Sequence, residues 1–187
     1  MKHFLLHINS IHPLSSPSKV ALLGIVSSLT VKKGNDLQAI GNRCQNIYFV
    51  TSGLLRIYYF KGGLDITESF EYENALVARA DSLFDAKPSR KGIQAVEDTQ
   101  LVAIDSTKLF ALYDQHHDIE RLFRKIFEQA YVKTVERLES LQFHTAEERY
   151  QNLIENSSQI IQRVPLKHIA SYLGITQVSL SRIRAKY

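Results

Sequence analysis

The residues best suited to chemistry lie near the C-terminal end of the chain, in the stretch GITQVSLSRIR at positions 174–184. An arginine such as Arg182 can make two hydrogen bonds to guanine, a glutamine such as Gln177 can do so to adenine, and Val178 can meet a thymine methyl group. Basic and hydroxyl side chains around them suit phosphate oxygens. The residues that we predict to contact DNA are Lys167, Thr176, Gln177, Val178, Ser179, Ser181, Arg182 and Arg184.

Two short helices joined by a tight turn are needed to present these side chains. The first helix is predicted by apolar residues at i, i+3, i+4 and i+7, which are Leu166, Ile169, Ala170 and Leu173. Pro165 suits its first position, and Gly174 can end it in the left-handed conformation. Thr176 would cap the second helix, which buries Leu180 and Ile183. The pattern predicts a helix-turn-helix, whose second helix enters the DNA major groove. A helical hairpin within an ordinary core is the alternative.

The basic charge of the chain is concentrated on this segment. From position 156 to the end there are five basic residues and no acidic one, whereas the other 18 basic residues face all 19 acidic ones. The net charge of +4 therefore arises from the helix-turn-helix, as expected for a surface that binds phosphate. A basic terminus that serves only solubility is the alternative.

The composition disfavours several other classes of protein. Cys44 is the single cysteine, which excludes an intramolecular disulfide and suits a reducing cytosol. The N-terminal stretch MKHFLLHINSIHPL is too short and too polar for a signal peptide or a membrane span. No histidine lies within 29–105, and no Gly-rich phosphate loop or nucleophile motif appears. We expect a cytoplasmic protein that is not an enzyme, with no catalytic residue, metal, cofactor or membrane partner.

The region 29–105 has the pattern of a small β-barrel. The stretch NIYFVTSGLLRIYYF is rich in β-branched and aromatic residues and is divided by Gly53, while Gly62 and Gly63 suit a hairpin loop. The segments ITESFEY, ALVARA and GIQAVEDTQLVAID predict further short strands. Residues 2–28 are predicted to be helical. Closely spaced strands with turns between them indicate a barrel or jelly roll.

A long helix is predicted next, from Asp118 to Leu141, with a length of roughly 35 Å. Asp105 or Ser106 would cap a short helix before it, and Thr145 with Glu148 forms a capping box for the helix after it. One face of the long helix can pack on the barrel. A second seam suits pairing with a twofold-related copy, and its residues are Phe123, Phe127, Ala130, Thr134, Leu138 and Leu141. A single wide stripe that faces the core is the alternative.

These patterns predict an α+β fold: an N-terminal jelly-roll β-barrel with flanking helices, a long dimerisation helix and a C-terminal all-α helix-turn-helix domain. We place the boundaries at 1–115, 116–143 and 144–187.

The order of these elements resembles the Crp/Fnr family of bacterial transcription regulators. The resemblance covers essentially the whole chain and rests on VKKGNDL, IYFVTSGLLRIYYF, IQAVEDTQLVAID, AEERYQNLI and PLKHIASYLGITQVSLSRIR. The stretches EERY and ASYLGIT are similar to a branch common in Bacteroidetes. The resemblance implies a cyclic-nucleotide-binding-like sensor domain, a homodimer, double-stranded DNA as a partner and RNA polymerase as a further partner.

The sensor region departs from the pattern of family members that bind cyclic AMP, which use a glutamate for the ribose and an arginine for the phosphate. The resemblance places Arg79 at the glutamate, Ser89 at the arginine and Arg90 one residue further on. One residue along a strand turns a side chain to the opposite face. We therefore expect no cyclic nucleotide bound in the standard way. The pocket is then empty or takes another anion through Arg79, Arg90 or Lys91, or these are solvated loop charges.

The predicted reading helix also departs from the family, because the frequent Arg-Glu…Arg set becomes Gln177-Val178…Arg182. The DNA half-site should therefore differ. The sequence ends soon afterwards, where many members continue into a β-hairpin wing. Two functions remain: a dimeric, sequence-specific DNA-binding regulator, or a ligand-binding or protein-interaction module without functional DNA recognition. The acid-free basic segment favours the first.

Overall fold

The structure is a computed structural model that describes residues 1–186. Eight strands form two four-stranded antiparallel sheets, ordered β1-β8-β3-β6 and β2-β7-β4-β5. The strands are β1 (Val26–Val31), β2 (Asp36–Gln38), β3 (Asn46–Ser52), β4 (Leu54–Lys61), β5 (Leu64–Tyr72), β6 (Leu76–Val77), β7 (Gly92–Ala95) and β8 (Thr99–Asp105). Apart from the β4–β5 hairpin, neighbouring strands in each sheet are not consecutive in sequence, as in a jelly roll. The predicted fold class is confirmed.

Eight helices among the described residues flank and follow the sheets. They are α1 (Lys2–Ile11), α2 (Ser16–Leu23), α3 (Ala80–Asp85), α4 (Ser106–Leu112), α5 (His117–Phe143), α6 (Ala146–Arg163), α7 (Leu166–Tyr172) and α8 (Gln177–Arg184). Asp105 caps α4 by accepting the Lys108 N–H at 2.9 Å. The capping box of Thr145 and Glu148 is formed in full at the start of α6. These predicted caps are confirmed.

The core has three parts that follow this layout. One lies between the two sheets and includes Val50, Leu55 and Ile93. A second lies outside the first sheet, where α1, α2, α4 and the first half of α5 cover Phe49 and Val102. The third lies among α6, α7 and α8 and reaches the second sheet; its residues include Leu54, Phe70, Ile169 and Leu180. This third part matters for function, because it packs the helix-turn-helix onto strand β5.

Glycines shape the turns that the sequence predicted. Gly62 and Gly63 take positive φ angles of 57° and 79° in the β4–β5 hairpin. Gly53, between β3 and β4, has φ of 103°, and a Cβ there would lie 2.6 Å from Thr99 Oγ1. Any larger residue at position 53 would therefore strain the backbone and collide with β8.

Two sequence expectations about secondary structure were wrong. The predicted helical region 2–28 ends at Leu23, because Gly24 terminates α2 and the chain joins β8 as strand β1 from Val26 onward. The segment ALVARA is a strand only at Leu76–Val77, since β6 finds just two partner residues on β3. The chain then turns at Arg79, which caps the short helix α3.

Candidate functional site

The turn between α7 and α8 has the geometry of a helix-turn-helix. Gly174 has φ of 70°, and the N–H of Ile175 donates to the carbonyl of Ala170 at 3.0 Å. Thr176 caps α8, because its hydroxyl accepts the N–H of Ser179 at 3.1 Å. Pro165 lies one position earlier than predicted: it is the cap residue, and α7 begins at Leu166. Small, buried Ala170 lets the two helices approach.

One side of α8 is buried and the other is exposed. Leu180 packs on α7, whereas the side chains of five predicted DNA-contacting residues face solvent: Gln177, Val178, Ser181, Arg182 and Arg184. Lys167 is exposed on α7. Thr176 is exposed as well, and its hydroxyl lies 3.0 Å from that of the half-buried Ser179. Within residues 1–186, Arg182 and Arg184 make no ion pair. Their guanidinium groups are therefore available to an external anion.

A buried arginine joins the helix-turn-helix to the β-sheets. Arg56 on β4 is only 2% exposed and binds Asp65 with two hydrogen bonds of 2.6 and 2.8 Å. The same guanidinium donates to Nδ1 of His168 on α7 at 2.9 Å. Burial, and then the charge of Arg56, lower the pKa of His168 to about 4. His168 is therefore neutral near pH 7, as an acceptor for arginine must be.

A second ionic group fixes the end of α6 to the same sheet. Arg163 donates to both carboxylate oxygens of Glu73 at 2.9 Å and also binds Glu97. The hydrogen bond from Arg163 lowers the pKa of Glu73 to about 2. Strand β5 and helix α7 are also joined directly, because the backbone N–H of Thr67 donates to the Ser171 hydroxyl at 3.1 Å. Sequence analysis did not find these contacts, since the partners are far apart in the chain.

Helix α5 changes from buried to exposed along its length. Phe123 is fully buried in the core outside the first sheet, so it cannot belong to an external seam. Further on, an exposed or half-exposed stripe follows the 4-3-4-3 spacing of a coiled coil, through Phe127, Tyr131, Thr134, Leu138 and Leu141. Ala130 is exposed beside it. Tyr131 was missed in the sequence, although strict heptad counting from Phe127 would have found it.

The three residues predicted for the effector pocket are only partly brought together. Arg79 and Ser89 both bind Asp81, with distances of 3.1 and 3.3 Å. Arg79 also lies 3.7 Å from Glu68. Arg90 is exposed and takes no part. The sequence expectation did not include the two carboxylates, which neutralise Arg79 from both sides.

Comparison with known proteins shows what the β-barrel region and the fold resemble. A family model described as "Cyclic nucleotide-binding domain" matches residues 28–116. These residues therefore resemble a cyclic nucleotide-binding domain. No curated protein has a sequence that matches this chain.

Three solved structures show how far the likeness extends. FixK2 from Bradyrhizobium japonicum is 15% identical, with a TM-score of 0.74 over 87% of this chain and 84% of its own. A Crp/Fnr-family regulator from Eubacterium rectale is 17% identical, with a TM-score of 0.74 over 92% and 83%. CLP from Xanthomonas campestris is 16% identical, with a TM-score of 0.72 over 92% and 91%. The chain has the Crp/Fnr fold, as predicted, and the likeness to a Bacteroidetes branch stays a prediction.

Cys44 lies within the region 28–116 and is buried beside Arg79. Its thiol donates to the carbonyl of Asn46 and accepts the N–H of Arg79, both at 3.3 Å. Burial raises the pKa of the thiol, so it is protonated at neutral pH and a poor nucleophile. The residue is structural, holding the chain where α3 begins.

A large cleft lies outside the β-barrel. It has a volume of about 580 Å³ between β5, α5 and α6, and its charged lining residues include Glu71, Lys133, Arg137 and Arg149. Arg79, Ser89 and Arg90 are not among its lining residues. Burial raises the pKa of Glu71 at this cleft. None of the helices within residues 1–186 combines the length and the apolar composition needed to cross a membrane.

Proposed function

We propose that the chain is a homodimeric, sequence-specific DNA-binding transcription regulator. The observation that carries this proposal is the exposed face of α8, with Gln177, Val178 and Arg182 on a short, well-capped helix. These side chains match the donor, acceptor and methyl groups of the major groove. Thr176, Ser179, Ser181, Lys167 and Arg184 would contact phosphates and fix the position of the helix on the duplex.

Dimerisation would supply the second reading helix. A single helix-turn-helix covers one half-site, and twofold dimers read two half-sites about one helical turn apart. The stripe of Phe127, Tyr131, Thr134, Leu138 and Leu141 has the spacing for a parallel twofold pair of α5 helices. It leaves large apolar side chains on the surface of a single chain, which association would cover. We also propose the domain limits 1–115, 116–143 and 144–187 that the sequence predicted. Residue 187 lies outside the described part of the chain.

The sensor domain would not take cyclic AMP in the standard way. Ser89, at the position of the phosphate arginine, carries no charge, and it is bound to Asp81. The nearby Arg79 is already paired with Glu68 and Asp81, so a phosphate there would have to displace a bound carboxylate. Lys91 contacts the same Glu68. The regulator CLP is described as responsive to c-di-GMP, which shows that signals differ among proteins of this fold. The contact with RNA polymerase stays a prediction.

A gel-shift with genomic DNA fragments tests the proposal. We expect some fragments to remain bound and retarded in the presence of excess non-specific DNA. This binding should weaken steeply as the salt concentration is raised. Selection and sequencing of the retained fragments should give a palindrome with two half-sites. Binding that never exceeds the non-specific level would instead favour an interaction module without DNA recognition.

A further inference from the structure

The carboxyl end of α7, where the turn of the helix-turn-helix begins, is held by two arginine side chains. They bind the backbone carbonyls of Tyr172, the last residue of α7, and of Leu173, which follows it. The last carbonyl groups of a helix need partners from outside the helix, and the helix dipole makes cations favourable there. The two arginines come from different helices, and each helix therefore has its own connection to the turn.

Arg149 on α6 binds the carbonyl of Leu173. Its Nε and Nη2 donate to this oxygen at 3.1 and 2.7 Å. Its Nη1 donates to the carbonyl of His144, at the connection between α5 and α6. Leu173 also belongs to the same apolar cluster as Leu153 of α6 and Leu180 of α8. The start of α6, the turn and the reading helix are therefore held together as one unit.

Arg137 on α5 binds both the carbonyl and the ring of Tyr172. Its Nη2 donates to the carbonyl, and its guanidinium lies over the ring, 3.8 Å from the centroid. The ring also packs against Phe70 of β5, with centroids 5.2 Å apart. No other hydrogen bond joins α5 to α7 within residues 1–186. Arg137 is thus the polar link between the long helix and the helix-turn-helix.

Neither arginine has a carboxylate partner. Arg137 and Arg149 are both half-buried, and neither makes an ion pair among the described residues. Burial lowers the pKa of Arg137, and the charge of Arg149 acts in the same direction. A half-buried charge without a carboxylate is costly, and the carbonyl and ring of Tyr172 are the contacts that offset this cost for Arg137.

The place of Arg137 on α5 matters because this half of the helix has little other support. From position 128 to its end, α5 has no fully buried side chain. Arg56 and Arg163 hold the helix-turn-helix unit against the second sheet, but they do not bond to this half of α5. Leu138, next to Arg137, belongs to the α5 stripe that we propose to dimerise. One turn of α5 would thus contact the twofold copy through Leu138 and α7 through Arg137.

We propose that Arg137 is a positioning residue that sets the spacing between the two DNA half-sites. It acts through Tyr172, by fixing α7 and with it α8 relative to the dimerisation helix. This inference rests on the proposed function, because it needs a dimer that reads two half-sites. It assigns the spacing to the contact between α5 and α7 and the base sequence to α8. The two properties should therefore change independently in variants.

A series of palindromes with altered spacing tests the inference. The site selected by the wild-type chain is rebuilt with one or two base pairs added at or removed from its centre, and Kd is measured by gel-shift. Each base pair moves a half-site by about 3.4 Å and turns it by roughly 34° around the duplex. The wild type should therefore bind the shifted sites about tenfold more weakly than the selected site.

Arg137→Met should lose most of this preference while it keeps the base preference within each half-site. Methionine retains an unbranched side chain but neither donates to the Tyr172 carbonyl nor carries a charge. We expect its affinities for the selected and the shifted sites to differ by only about twofold. A general loss of stability would instead weaken binding at every spacing alike, so the ratio of the affinities separates positioning from a merely structural role.

Two further variants complete the test. Arg124→Met removes an arginine of the same helix that pairs with Glu128 rather than with α7, so it should keep the wild-type spacing preference. Arg137→Lys keeps a charge and a donor but lacks the flat guanidinium, so its preference should lie between those of wild type and Arg137→Met. Circular dichroism and sedimentation velocity establish that each variant is folded and has the oligomeric state of the wild type.

Several results would overturn this inference alone. They are a wild-type spacing preference in Arg137→Met, a uniform loss of affinity at every spacing, and an equal loss of preference in Arg124→Met. If Arg137→Met does not fold, a full wild-type preference in Arg137→Lys has the same consequence. A wild-type chain that selects no palindrome would overturn the proposed function as well, which distinguishes the two failures.

Discussion

Nη1 of Arg56 lies 2.9 Å from Nδ1 of His168, which links strand β4 to the first helix of the helix-turn-helix. Arg56 also holds Asp65, so one buried guanidinium connects β4, β5 and α7. Arg163 makes a parallel connection from α6 to Glu73 and Glu97. In this structure the helix-turn-helix is therefore held against the second sheet by specific charged contacts in addition to apolar packing.

The first prediction concerns the stability of this link. Arg56→Met should leave Asp65 and His168 without their partner and lower the free energy of unfolding by about 2 kcal/mol. Denaturant unfolding followed by circular dichroism measures the change.

A matched control comes from an exposed ion pair. Lys32 binds Asp98 at 2.7 Å, with most of both side chains exposed. Lys32→Met should leave the free energy of unfolding nearly unchanged, because solvent screens exposed pairs. Equal losses in the two variants would show that Arg56 has no special role.

The second prediction concerns pH. The pKa of His168 is lowered to about 4 in the folded chain from 6.5, so the unfolded state binds a proton first as pH falls. The contribution of neutral His168 to the free energy of unfolding is complete above about pH 6.5 and is lost progressively as pH falls toward 4. We expect this loss to reach about 2 kcal/mol near pH 4.5, with Asp65 opposing it and Arg56 and Lys167 adding to it.

The variant His168→Asn isolates this contribution. The asparagine amide oxygen can replace Nδ1 as an acceptor for Arg56, but it does not titrate. The variant should match wild type near pH 7.5 and become the more stable of the two near pH 4.5. Carboxylates such as Glu73 titrate in both proteins, so the difference between the two unfolding curves reports His168. Parallel curves over this range would contradict the prediction.

The third prediction tests the α5 stripe. Leu138 and Val132 are 55% and 54% exposed on the same helix, but only Leu138 has the heptad position of the stripe. Leu138→Arg should convert a dimer to a monomer in sedimentation velocity, because it places like charges opposite each other in the seam. Val132→Arg should leave the dimer intact. If both variants dissociate, or neither does, the seam lies elsewhere.

Local features of this structure could be predicted from the sequence, whereas its long-range contacts could not. The Gly62–Gly63 hairpin, the capping box at Thr145 and the left-handed Gly174 each depend on a few adjacent residues. The bond between Arg56 and His168 joins residues 112 positions apart, and no periodicity encodes such a pair. Arg79 illustrates both outcomes. The family resemblance predicted its position near the effector pocket, but it did not predict the carboxylates that Arg79 contacts.

The fourth prediction concerns base recognition by α8. Arg182 is exposed at a position suited to two hydrogen bonds with guanine, and Arg184, near the end of the helix, suits a phosphate. Arg182→Ala should cost about 1–3 kcal/mol of binding and relax specificity at one base pair of each half-site. Arg184→Ala should weaken binding to all sequences alike and reduce the salt slope by about 1 for each phosphate that is no longer neutralised. Binding-site selection followed by salt titration distinguishes the two roles. An unchanged base preference after Arg182→Ala would remove Arg182 from the reading surface and leave Gln177 as the remaining candidate for bidentate recognition.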